Sequence, residues 1–241
     1  MSTRKNFLAS SAALAALAPA AVAAAPAAPS PSPAASSAPK PAMAPLKFEI
    51  AAFDLALATA AIHKHLFTSV KIDGGEVFGA MRGTLDAYAG MGVSLKDVKP
   101  VAVLYHGVAI ALGFDDVVWN EFFLPMLAQN ATDDRSTEVK KDFETVVDPK
   151  KKGNPCLHKT GGDYDTSIES LVADAGARIF MCNHATQGVA SIVARKLGKN
   201  AADVYAKMST HLVPNAMLVP AGVWAVHAVQ EKHYTLLPTS L

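Results

Sequence analysis

From residue 46 onward, short apolar runs alternate with stretches of helical period, and this alternation constrains the fold more than any other feature. Residues 101–105, Val-Ala-Val-Leu-Tyr, have the pattern of a strand buried on both faces of a parallel sheet. Residues 177–181 and 216–219 repeat it, and residues 234–237 can make a last strand. Between them, 76–91 places Val77, Ala80, Met81, Leu85 and Tyr88 at helical spacing. Asp115 or Asp116 can cap a helix carrying Val118, Trp119, Phe122, Phe123 and Met126. Residues 165–175, 185–197, 200–210 and 221–231 read as further helices. An earlier helix covers 53–61, and residues 63–67 either continue it or form a first strand; periodicity does not decide. Strands separated by helices imply right-handed crossovers and an α/β layer fold, a parallel sheet with helices on both faces. His106 and Cys182, each closing an apolar run, should then share one edge of that sheet.

The first 45 residues cannot belong to such a domain. Ala, Pro and Ser fill 32 of the 37 positions from 9 to 45, so almost nothing large is there to offset the entropy of ordering. Residues 1–23 have the plan of an export signal: Arg4 and Lys5, an apolar stretch from Phe7, and Ala21-Val22-Ala23 as a small-x-small cleavage site. Ser2-Thr3-Arg4-Lys5-Asn6-Phe7-Leu8 also resembles a twin-arginine signal with Lys5 in place of the second arginine, and the general secretory route stays open. Pro19 interrupts the apolar stretch well short of the roughly 20 residues of a membrane span. Residues 24–45 read as a disordered tether of polyproline II character. The expectation is a single periplasmic domain, residues 46–241, behind a cleaved signal. Within it, 129–163 is a charge-dense insertion of poor periodicity, with a turn at Lys150-Lys151-Lys152-Gly153-Asn154-Pro155.

Charge and cysteine count narrow the function classes. A formal net charge of +1 lacks the cation excess that nonspecific nucleic-acid binding requires. Two cysteines exclude a disulfide scaffold or a zinc finger. There is no Gly-x-Gly-x-x-Gly, no Walker A and no Gly-x-Ser-x-Gly, and no cofactor is expected.

Cys182 is the most informative residue, because it follows the strand at 177–181 and precedes a helix. Ligands of open α/β sheets bind outside the strand carboxyl ends, and a helix N-terminus favours thiolate over thiol. The alternative is a buried, inert cysteine that packs as a small hydrophobe. Cys156 lies in the insertion and can pair with Cys182 in an oxidising compartment, or both can stay free. His63, His65, His106 and His184 could supply a soft-metal or haem site, although none has a recognised ligand spacing. His158, His211, His227 and His233 read as surface or helix-face residues.

The segment Ala177-Arg178-Ile179-Phe180-Met181-Cys182-Asn183-His184-Ala185 resembles the strand and cysteine turn of the DsrE/DsrF-like family of sulfur-relay proteins. Residues 212–223, Leu-Val-Pro-Asn-Ala-Met-Leu-Val-Pro-Ala-Gly-Val, are similar to that family's Leu-Leu-Pro-Gly-Val-x-Val-Val-Pro-x-Gly-Val. Gln230-Glu231-Lys232-His233-Tyr234 matches its Gln-x-x-Gly-Tyr ending, with His for Gly. Tyr105-His106-Gly107 resembles its His-Gly after the second strand, which makes 63–68 the first strand. The resemblance implies a flavodoxin-like α/β domain, often trimeric or hexameric, whose carrier cysteine holds sulfur as a persulfide. Only Cys182 carries over as such a residue. The family's sulfur carriers are cytoplasmic, and the Cys156-bearing insertion has no counterpart in its short members.

Three readings follow. In the first, Cys182 accepts sulfur from a donor protein or small sulfur compound, with Asn183 and His106 as polar neighbours and Cys156 as a resolving or disulfide partner. In the second, the domain is a non-catalytic binding or homo-oligomeric assembly module with Cys182 buried or bonded to Cys156. In the third, the four histidines hold a metal or haem. All three dispense with nucleic acid and with a membrane span.

Overall fold

The computed structural model describes Met43 and residues 45–129, 134–148, 151–162 and 164–239. The export signal, all of the tether except Met43 and Pro45, Lys150 of the insertion's turn and Asp163 lie outside them. The expected alternation is present. Strands β1 (His63–Ser69), β2 (Val98–Leu104), β3 (Arg178–Cys182), β4 (Ala216–Val219) and β5 (Thr235–Pro238) form one sheet in the order β4-β3-β2-β1-β5. All four pairings are parallel. The chain therefore has an α/β architecture with a parallel sheet flanked by helices, consistent with a flavodoxin-like plan in general.

Alternate strand residues serve two cores, as the two-residue period of a strand requires. Phe67, Ala102, Leu104, Ile179 and Met181 face the larger one. It is covered by α2 (Glu76–Gly90), α6 (Ile168–Ala175), α7 (Asn183–Leu197) and α8 (Ala201–Thr210). Leu66, Val101, Val103, Phe180 and Val219 face the smaller core, under α1 (Ile50–Leu57) and α9 (Gly222–Glu231). The order explains the split. From β1 to β4 each crossover steps the same way and its helices fall on one face, whereas the return from β4 to β5 runs the other way and puts α9 on the opposite face.

Local signals set several helix starts. Asp115 Oδ1 accepts the Val117 and Val118 N–H groups, Ser167 caps α6, and Asn200 Oδ1 caps α8. The helix that Asp115 opens runs through α3 (Asp116–Val118), a π-helical turn (Trp119–Phe123) and α4 (Leu124–Leu127). Trp119 and Phe123 meet edge to face at 5.3 Å, and Trp119 Nε1 donates to the Ala111 carbonyl at 2.9 Å.

One open choice is settled and one expectation changes. Residues 63–67, open between helix and strand in the sequence, are strand, because β1 lies between β2 and β5 and both pair with it. The insertion is not all irregular surface: it contains α5 (Asp134–Glu144), and Phe143 is fully buried against Trp119 and Phe123. Asp142 accepts the N–H groups of Ile72 and Asp73, at 3.0 and 3.1 Å. Buried Asn154 donates to the Leu112 and Phe114 carbonyls. These bonds tie the insertion into the domain.

Candidate functional site at the carboxyl edge

The topology defines a crevice. The chain leaves β3 toward α7 on one face and leaves β4 toward α9 on the other, and α/β ligands bind where neighbouring strands diverge in this way. Cys182 ends β3 at this point, and His106 follows β2 on the same edge, as expected.

The crevice is closed. Gly222, the first residue of α9, lies so near β2 and β3 that a Cβ there would stand 2.0 Å from Tyr105 Cβ and 3.2 Å from Cys182 Cβ. Cys182 is 7% exposed. Its sulfur is the N-cap of α7, accepting the Ala185 N–H at 3.4 Å, while its carbonyl accepts the Thr186 hydroxyl at 3.0 Å. The helix terminus expected to activate this thiol is present, but nucleophilic attack also needs access, and α9 removes it.

The other candidates do not converge on the sulfur. Asn183 is buried, and its Oδ1 accepts the Tyr205 hydroxyl at 2.7 Å, joining α7 to α8. His106 is exposed in a left-handed turn, φ 63°, its ring 5.2 Å from that of Tyr105. His184 is exposed on the first turn of α7. Cys156 is a free thiol, as is Cys182, so no disulfide joins them. Cys156 Sγ lies 2.9 Å from where a Cβ on Gly75 would be, and burial pushes its thiol up to about 12. At that value it is protonated near neutrality and a poor nucleophile.

The sulfur-carrier reading is therefore corrected: one thiol is buried as a helix cap, the other is held protonated, and neither resolves the other. The metal or haem reading is corrected as well. His63 and His65 lie at the amino end of β1, while His106 and His184 lie at the carboxyl edge. Among the described residues no group of three His, Cys, Asp or Glu side chains could hold a metal ion.

At the amino end, His65 Nε2 is 3.0 Å from the Tyr88 hydroxyl, the His63 ring lies 4.4 Å from that of Tyr88, and His65 Nδ1 is buried without a partner among the described residues. Burial, and then the neighbouring His63, lowers the pKa of His65. A cavity of about 90 Å³ lies against the insertion, lined by Leu124, Val146, Val147, Asp148, Lys151, Gly153 and Pro155, with no cysteine or histidine in its wall.

Sequence reasoning missed Gly222. Its signals were the Pro220-Ala221-Gly222 turn and its place in the Pro-x-Gly-Val resemblance, and neither reveals what the glycine touches. No helix among the described residues is long and apolar enough to cross a membrane. No protein-family model matches the chain, and no curated protein matches it.

Proposed function

We propose that this domain is a non-catalytic binding or assembly module, an exported member of the DsrE/DsrF-like group in which the cysteine at the carrier position serves as a helix cap. The observation that carries the reading is Cys182, buried under Gly222 and engaged by the Ala185 N–H. A thiol in that setting holds the β3–α7 junction together and does not exchange sulfur.

Assembly is supported by the outer layer of the smaller core. Helix α1 buries Phe53, Ala56 and Leu57, yet two large residues on its outward side are also apolar: Ile50 is 62% and Leu55 75% exposed. Val223 of α9 is 62% exposed, and next to it Trp224 stacks edge-on with Phe48 at 5.3 Å. A surface helix apolar on both sides has a partner for each, and the occupant proposed is a second copy of this chain.

Two measurements test the reading. Under native conditions, iodoacetamide should leave Cys182 unlabelled until denaturant is added; rapid native labelling would overturn the structural role. Light scattering of the full chain should give an oligomer that Leu55→Glu with Val223→Glu converts to monomer. A wild-type monomer throughout the accessible concentration range would remove assembly.

A further inference from the structure

The amino edge of the sheet, opposite Cys182, carries a cluster of cations with no counter-ion among the described residues. Lys64, Lys99 and Arg178 lie near the amino ends of β1, β2 and β3. Strand parity puts all three on the face of α1 and α9, because Leu66, Val101 and Phe180, each two residues further on, pack into that core. Lys64 is the register partner of Lys99, and Arg178 that of Val101. The three charges thus occupy adjacent strands, which in a sheet are about 5 Å apart. Tyr234 lies among them. The Lys64 ammonium is 5.8 Å from its ring centroid, and burial pushes its hydroxyl up to about 12 against the opposing pull of Arg178.

Their existing partners do not neutralise these charges. Lys99 Nζ donates to the Gly176 carbonyl at the C-terminus of α6, and Arg178 Nη1 donates to Asn215 Oδ1 at 3.2 Å. Among the described residues, no ion pair involves Lys64, Lys99 or Arg178. Arg178 Nε is buried with no acceptor among the described residues. Buried polar groups are almost always hydrogen-bonded, and an orphaned guanidinium N–H is a strong departure from that rule. Burial, and after it the Arg178 charge, pulls the Lys99 ammonium below the ordinary lysine range. Two like charges held this close favour an anion beside them.

We propose that Arg178, Lys99 and Lys64 form a binding site for a phosphoryl oxyanion, either inorganic phosphate or the head of a phosphate monoester. The unpartnered Nε–H of the guanidinium supplies a directed donor for a phosphate oxygen, and the two ammonium groups supply point charge. Three cations are better matched by a dianion than by a single carboxylate. The bound oxygen would give Nε its acceptor and separate Lys99 from Arg178 electrostatically. The site is at the edge away from Cys182 and stands independently of the assembly reading.

The test is calorimetric titration of the full chain with inorganic phosphate, glycerol 3-phosphate and acetate at constant ionic strength. Phosphate or the monoester should bind and acetate should not; the tighter of the two identifies the source as free or esterified phosphate. Arg178→Gln and Lys64→Gln should each weaken Kd by about tenfold or more. Lys64 is only half-buried, so its variant keeps the test open if Arg178→Gln does not fold. Absence of binding by either phosphate up to about 10 mM, equal binding of acetate, or unchanged affinity in the folded variants would overturn the proposal.

Discussion

At the carboxyl edge of the sheet the polar atoms around Cys182 have partners: its sulfur takes the Ala185 N–H, its carbonyl the Thr186 hydroxyl, and Asn183 the Tyr205 hydroxyl. At the amino edge two buried nitrogens, Arg178 Nε and His65 Nδ1, have none among the described residues. The rule that ligands bind outside strand carboxyl ends locates the first edge correctly and says nothing of whether it is open. Here the crevice at the strand divergence is filled by backbone, and unspent hydrogen-bonding capacity has collected at the other end. A site is better recognised by unsatisfied chemistry than by its place in a topology.

The largest effect should come from prising the closed edge apart. Gly222→Ala puts a methyl group against Tyr105 Cβ, an atom fixed to the β2 chain that no rotamer change can withdraw. The expected loss is about 3 kcal/mol, at the upper end for overpacking, read as a lower urea midpoint. A variant as stable as the wild type would show that α9 does not seal the edge.

A smaller effect separates a cap from a nucleophile. Cys182→Val removes the acceptor of the Ala185 N–H and should cost about 1 kcal/mol, whereas Cys182→Ser keeps an oxygen cap and should stay within a few tenths of wild type. Equal losses in both variants would mean that packing alone, not capping, matters at this position.

The smallest effects set two histidines against each other. His65 has a lowered pKa, by burial and then by His63. The unfolded chain then binds more protons in acid, so the contribution of His65 is complete above about pH 6.5 and is lost as pH falls from there toward its folded value. His158 is the reverse. It lies 2.7 Å from Asp116 and 3.0 Å from Glu169, and its pKa is raised chiefly by the Asp116 hydrogen bond, with burial opposing and Glu169 adding. Its contribution is complete below about pH 6.5 and disappears as pH rises through the folded pKa. With 55% of its side chain exposed, solvent screening keeps it under about 1 kcal/mol. Urea midpoints between about pH 5.5 and 8 should steepen toward acid in His158→Gln and flatten in His65→Phe. The opposite pattern would reverse both assignments.

How much of this could be read in advance depended on whether the signal was local. The strands at 101–105, 177–181 and 216–219 were legible because a strand covered on both faces must be apolar throughout. β1 was not, since His63, Lys64 and His65 at its start look as polar as a helix surface; pairing with β2 and β5 decided it. α5 was hidden by the charged sequence Asp-Arg-Ser-Thr-Glu-Val-Lys-Lys-Asp-Phe-Glu, and the burial of Phe143 and the two bonds to Asp142 anchor it.

Periodicity and composition by themselves determined an α/β chain with a parallel sheet and a cysteine at the junction of strand and helix, because these are short-range properties of neighbouring residues. Whether that cysteine could react was decided by Gly222 and Tyr105, which approach it only when β2, β3 and α9 pack together. The cationic row of Lys64, Lys99 and Arg178 likewise exists only once three distant strands come into register. Access and charge density are properties of surfaces, and a surface is made by contacts between segments far apart in the chain.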